Sequence, residues 1–167
     1  ETSRKVIIEE FLTGEEASYF AITDGQNYIS IGTAQDYKRI GENDTGPNTG
    51  GMGAYSPSLL INKDVELKIK KKIIEPTLRA LKEKGYPYKG ILYAGLMIEN
   101  DEPKLIEYNI RFGDPECQVL MMRLESDFLE IIESTFNQTL NKIKINWSKD
   151  PCITIVAASK GYPGNFE

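Results

Sequence analysis

Hydrophobic and polar positions change their period along the chain, and the changes divide it into segments. Lys5-Val6-Ile7-Ile8-Glu9-Glu10-Phe11-Leu12 has a β-branched centre and a polar end, which predicts a strand over 5–12. Residues 16–23 and 27–35 predict two more strands, joined through Asp24-Gly25, a strong hairpin signal. Periodicity stops at 41–57. Gly41 to Gly53 carries five of the chain's fourteen glycines together with Pro47, two asparagines and two threonines, the composition of an ordered loop. Helical spacing returns over 63–84, with apolar residues at Val65, Ile69, Ile73, Ile74, Leu78 and Leu81. Asn62 is positioned to cap this helix, Gly85 to end it, and Pro76 to kink or split it. Strands follow at 90–99 and 104–111 around the turn Asn100-Asp101-Glu102-Pro103. Asp114-Pro115-Glu116 predicts a helix start, with Asp114 as cap and Pro115 at the first helical position. Helices over 115–124 and 127–140 and a last strand over 152–159 complete an α+β pattern.

Composition narrows the chemistry. The 167 residues include no histidine, which excludes a Ser-His-Asp triad, a Cys-His pair and a His-ligated metal within this chain. A metal here needs oxygen ligands, which favour magnesium, manganese or calcium. Cys117 and Cys152 have no CxxC spacing and read as reduced thiols of a cytosolic protein. The net charge of -5 argues against nucleic acid as a partner, and Gly90 to Ile98 is about half a membrane span. The helix over 63–84 is basic, with eight Lys or Arg against four acids, and reads as a solvated face. The first methionine is Met52, so the chain is expected to be a piece of a longer protein.

Three segments carry candidate chemistry. In the strand Leu105 to Arg111, alternation puts Ile106, Tyr108 and Ile110 on one face and Glu107, Asn109 and Arg111 on the other. A carboxylate and an amide oxygen two residues apart suit one hard cation, and an arginine one step on suits a phosphate. An ordinary solvent-facing strand fits the same spacing. Pro47-Asn48-Thr49-Gly50-Gly51-Met52-Gly53 is neither a P-loop nor a GxGxxG fingerprint, yet its backbone N–H groups are suited to cradling an anion. Glu9, Glu10, Phe11 and Leu12, with Glu16 after them, form a strand end suited to a purine edge and ribose; an acidic surface turn is the alternative.

These pieces together resemble the glycinamide ribonucleotide synthetase (phosphoribosylamine-glycine ligase) family of ATP-grasp enzymes. The resemblance is carried by Ile8-Glu9-Glu10-Phe11-Leu12, Ala34-Gln35-Asp36, Gly46 through Pro57, Tyr93-Ala94-Gly95-Leu96, Arg111-Phe112-Gly113-Asp114-Pro115-Glu116-Cys117-Gln118, and Lys160 through Gly164. It implies the large ATP-grasp subdomain, an antiparallel sheet with flanking helices, over 1–148, and the start of a C-terminal domain over 149–167. It implies ATP, magnesium or manganese, glycine and 5-phosphoribosylamine as ligands, with a glycyl phosphate intermediate. Glu107 and Asn109 match metal ligands, Arg111 the catalytic arginine, and Glu9, Glu10, Phe11, Leu12 and Glu16 the adenosine segment. Asp36, Lys38, Pro47, Asn48, Thr49, Gly50, Gly51, Met52, Gly53, Asp114 and Glu116 match the substrate segments. Tyr37 stands where many members have histidine, and Cys117 where threonine is frequent. The resemblance leaves open whether the parent stands alone or is fused to other purine-pathway enzymes. Another ATP-grasp carboxylate ligase, or a non-catalytic nucleotide-binding module, are the alternative readings.

Overall fold

A computed structural model describes residues 6–43 and 45–165. Its centre is a six-stranded antiparallel sheet in the order β7-β6-β1-β2-β5-β8. The strands are β1 (Glu15–Asp24), β2 (Tyr28–Asp36), β5 (Gly53–Ser56), β6 (Lys89–Glu99), β7 (Glu102–Asn109) and β8 (Cys152–Ile155). The segment 41–57 expected to be loop instead contains β4 (Thr45–Asn48), which pairs with β3 (Arg39–Gly41) at its edge in a short ribbon, and the sheet strand β5.

The β1–β2 turn forms where the Asp24-Gly25 signal placed it. The Asp24 carboxylate accepts from the Gln26 and Asn27 N–H groups at 2.8 and 2.7 Å, and Gly25 takes φ +89°. Burial of both faces of β1 follows from its length of apolar sequence. Ala17, Tyr19 and Ala21 face one core with Leu92, Ala94, Leu96 and Ile98 of β6. Phe20 and Ile22 face the other with Ile31, Ala34, Ala54 and Tyr93.

The first core is covered by α1 (Lys63–Ile69), a π turn (Lys70–Ile74) and α2 (Glu75–Glu83) in series. Asn62 caps α1 by accepting from the Asp64 and Val65 N–H groups. The π turn ends two residues before Pro76, whose ring cannot share a regular helical turn with the preceding carbonyls. Gly85 ends α2 at φ +83°. The second core is covered by α3 (Glu116–Arg123) and α4 (Phe128–Phe136).

Several expectations are corrected. Residues 6–12 form no strand, so the strand expected over 5–12 is absent among the described residues, position 5 lying outside them; Val6, Ile7, Ile8 and Phe11 are more than 80% exposed, with no described strand pairing their backbone groups. The β6–β7 turn is only Asn100-Asp101, both at positive φ, and Glu102 and Pro103 already belong to β7. Asp114 does not cap α3: Pro115 occupies that position, and the Asp114 carboxylate accepts from the Gln118 side chain at 2.7 Å. The last strand stops at Ile155, and the second helix stops at Phe136.

Candidate functional site

The period of two places one end of one sheet face in front of solvent. On that face β1 contributes Glu16 and Ser18, β2 contributes Asp36, β6 contributes Tyr93 and Gly95, and β7 contributes Glu107 and Asn109. Further along the same face the side chains become Phe20 and Ile22 and disappear under α3 and α4. The uncovered end is a cleft of about 180 Å³ lined by Glu16, Ser18, Asp36, Lys38, Tyr93 and Glu107 among others.

Glu107 sits opposite Gly95, where any side chain would begin 3.4 Å from the Glu107 Cγ. The Asn109 amide donates to the Glu107 carboxylate at 3.0 Å, so the two oxygen-bearing side chains converge as their spacing foretold. Among the described residues no group of three or more His, Cys, Asp or Glu is arranged to hold a metal by itself. The Glu107–Asn109 pair would offer a hard cation two oxygen ligands, with the rest supplied by water or bound phosphates. Arg111 lies two residues beyond the end of β7, exposed, with its guanidinium donating to the Phe112 carbonyl at 2.8 Å. Phe112 turns inward to meet Phe20 and Phe128, each at 6.1 Å between ring centres, which anchors the segment that carries Arg111.

The expected apolar face of β7 does not form. A bulge shifts the register between Gly95 and Leu96, with Ile106 as the extra residue. Tyr108 packs into the core under α2, whereas Ile106 turns to line the cleft beside Glu107.

Glu116 is only 3% exposed. It accepts from the Tyr93 hydroxyl at 2.8 Å and from Ser18 at 3.4 Å, beneath the cleft floor. Gly113 is needed there, because a Cβ at that position would overlap the Glu116 carboxylate. Sequence reasoning missed Ser18 and Tyr93. The available signal was Ser18 itself, a lone polar residue on the inward face of an apolar run.

Charge gathers around Lys38. Its ammonium meets the Glu16 carboxylate at 2.5 Å. Burial works to lower the Lys38 pKa, but Glu16, Asp36 and Glu107 outweigh it and hold the group above its ordinary value. Asp36 is pushed up to about 6, first by burial and then by Glu116 and Glu16, with Lys38 opposing. A carboxyl with a raised folded pKa stabilises the fold while protonated and loses that contribution as pH rises through about 6. Asp36→Asn is therefore expected to raise the melting temperature of the full-length protein at pH 8. The gap narrows as pH falls through about 6 and closes below the ordinary carboxylate range. Thermal melting across pH checks this; a gap independent of pH refutes it.

The glycine-rich loop is tied to the same site. Thr49 N–H and Oγ1 both donate to the Lys38 carbonyl at 2.7 Å, and Met52 N–H donates to the Tyr37 carbonyl at 2.7 Å. Gly51, at φ +117°, lies against the Pro115 ring: a Cβ would stand 2.5 Å from its Cδ. Gly50 N–H donates to the Tyr162 hydroxyl at 3.0 Å. Pro47 and Asn48 remain exposed in β4, and Gly53 passes into β5. Two motifs more than 60 residues apart in sequence, Gly51 and Asp114-Pro115, thus touch.

Glu9, Glu10, Phe11, Leu12 and Glu16 come together in a second, larger cleft of about 490 Å³ with Met97, Lys104, Leu105 and Ile106. The Glu10–Lys104 ion pair at 2.9 Å and the Thr13 hydroxyl bond to Glu99 at 2.6 Å hold this segment beside β6 and β7. No helix among the described residues is long and apolar enough to cross a membrane.

Known proteins resemble this chain over most of its length. The profile of phosphoribosylglycinamide synthetase, ATP-grasp (A) domain, matches residues 1–117. Phosphoribosylamine–glycine ligase of Brucella melitensis biotype 1 is 53% identical over 163 residues, covering 98% of this chain and 38% of the relative. The chloroplastic enzyme of that name from Arabidopsis thaliana is 53% identical, covering 98% of this chain and 31% of its own length. The chain thus spans about two fifths or less of these relatives. A crystal structure of the Thermotoga maritima phosphoribosylamine–glycine ligase superposes with a TM-score of 0.79 at 35% identity, over 95% of this chain and 40% of that one. A biotin carboxylase from Campylobacter jejuni, at 18% identity and TM-score 0.56, shares the fold.

Proposed function

We infer the function from the family to which this chain belongs, the phosphoribosylglycinamide synthetase family, whose ATP-grasp domain it carries. The full-length protein joins glycine to 5-phosphoribosylamine with ATP, forming glycinamide ribonucleotide, ADP and phosphate in purine biosynthesis. The observation that carries this reading is the shared face on which Glu107, Asn109, Asp36 and Lys38 meet, with the Gly50-Gly51 loop and the Asp114-Pro115-Glu116 signature packed together beside it.

The adenosine moiety would lie in the larger cleft against Glu9, Glu10, Phe11 and Leu12, with Glu16 toward the ribose. Glu107 and Asn109 would hold magnesium or manganese, which when bound neutralises phosphate charge. The glycine carboxylate would occupy the smaller cleft, oriented by Lys38 and Asp36. One carboxylate oxygen attacks the γ-phosphorus and ADP leaves, giving glycyl phosphate. Arg111, exposed and reached from the same strand, supports the charge that builds on the transferred group. The amine of 5-phosphoribosylamine then attacks the activated carbonyl, loses a proton and expels phosphate. Loop residues Pro47, Asn48, Thr49, Gly50, Gly51, Met52 and Gly53, with Asp114, would border the amine substrate. Glu116 would act from beneath, through Tyr93 and Ser18. No step requires histidine; positioning and charge stabilisation suffice. Residues 1–148 would close the ATP-grasp domain and 149–167 begin the next, in a cytoplasmic enzyme.

ADP formation by the full-length protein that requires both glycine and 5-phosphoribosylamine tests the reading; ADP formation indifferent to either amine overturns it. The 167-residue chain alone is expected to give no turnover in the same assay, because it spans only 38% of the Brucella relative. Turnover by the isolated chain would refute that expectation.

A further inference from the structure

The two clefts share one wall. Glu16 and Ile106 line both the cleft of about 180 Å³ and the cleft of about 490 Å³. Lys38 lines only the smaller one, yet its ammonium is held by the Glu16 carboxylate at 2.5 Å. Both side chains are a little over two fifths exposed, so the pair stands at the surface of the partition and is open to ligands from either side.

We propose that the Glu16–Lys38 ion pair is an interlock through which nucleotide binding in the larger cleft and carboxylate binding in the smaller one reinforce each other. Without ligand, Glu16 engages the cation nearest the smaller cleft. A carboxylate only accepts hydrogen bonds, and a ribose hydroxyl donates them. A nucleoside seated against Glu16 therefore takes up lone pairs that otherwise hold Lys38. The released ammonium still faces Asp36 and Glu107, and it turns to the anionic ligand that arrives between them. Linkage makes the effect reciprocal: a carboxylate that draws Lys38 away frees Glu16 for the ribose. The outcome is that glycine is held firmly only when nucleotide is present. The inference rests on the ligase reading above and adds the coupling between its two sites.

The test is glycine titration calorimetry on the full-length protein, with and without magnesium and the imido analogue of ATP that cannot transfer its γ-phosphate. Wild type is expected to bind glycine about tenfold more tightly with nucleotide, within the usual span of such couplings. Glu16→Gln removes the charge that detains Lys38. It is expected to bind glycine more tightly than wild type in the absence of nucleotide, with the ratio collapsing towards one. Lys38→Met is expected to bind glycine weakly in both conditions, again with a ratio near one. Far-ultraviolet circular dichroism and thermal melting that overlay wild type show that each variant is folded, and a structural role alone would not tighten glycine binding in Glu16→Gln. A wild-type ratio near one, or a ratio unchanged in either variant, overturns the interlock while leaving the ligase reading intact. Wild type that binds no glycine even with nucleotide also overturns the interlock, whereas ADP formation indifferent to glycine is what overturns the ligase reading.

Discussion

Glu107→Ala in the full-length protein is expected to lower kcat for glycine-dependent ADP formation by about two to three orders of magnitude, the scale of removing one electrostatic partner from a transferring group. The expectation rests on the absence of a substitute. Opposite Glu107 stands Gly95, and no second carboxylate projects from β6 on that face near it. Asn109 alone offers one neutral oxygen, so the Glu107–Asn109 pair would lose its charge. The divalent ion concentration for half-maximal activity should rise at the same time. Glu107 is exposed, so the fold should not change, and far-ultraviolet circular dichroism should overlay wild type. Steady-state kinetics at several magnesium concentrations check this; a kcat within a few fold of wild type would remove Glu107 from the site.

Gly51→Ala is the second large effect. Gly51 is at φ +117°, where a side chain is strained, and its Cβ would stand 2.5 Å from the Pro115 ring and 3.3 Å from the Asp114 carbonyl. The loop must therefore lift from the signature segment. A displacement near 1 Å in a positioning element is worth about 10²-fold in rate, so kcat/KM for glycine and 5-phosphoribosylamine should fall by about that factor. Affinity for nucleotide should hold, because the larger cleft contains no loop residue. Gly50→Ala is the internal control. It has no strained φ, and its nearest neighbour is the Tyr162 hydroxyl at 3.5 Å, so its loss should be clearly smaller than that of Gly51→Ala. Equal losses in the two variants would contradict the account.

Local signals placed most elements correctly. Asp24-Gly25, the Asn62 cap, Gly85 and the apolar spacing from Val65 to Leu81 each act within a few residues, so sequence alone reveals them. The Glu107–Asn109 pairing is also local, two residues apart on one strand. What was not legible depends on distant partners. The Ile106 bulge is a property of the β6–β7 pairing, and nothing in β7's own alternation announces it. Residues 6–12 have strand composition, but a strand needs a ladder of backbone hydrogen bonds, and no strand among the described residues pairs with them, although side-chain contacts hold them near β6 and β7. Asp114 has the residue type of a cap, yet Gln118 one turn on competes for its carboxylate. The burial of Glu116 under Tyr93 and Ser18 joins three separate stretches of chain, which only the folded sheet brings within hydrogen-bond distance.

On the proposed route a glycine carboxylate oxygen attacks the γ-phosphorus of ATP. The most direct test of that route is a single-turnover reaction of the full-length protein with ATP, 5-phosphoribosylamine and glycine labelled with oxygen-18 in its carboxylate. Attack by that oxygen, followed by displacement at the carbonyl, leaves one labelled oxygen in each inorganic phosphate released. Mass analysis of the phosphate should show that transfer; unlabelled phosphate formed alongside ADP and glycinamide ribonucleotide would contradict the glycyl phosphate route.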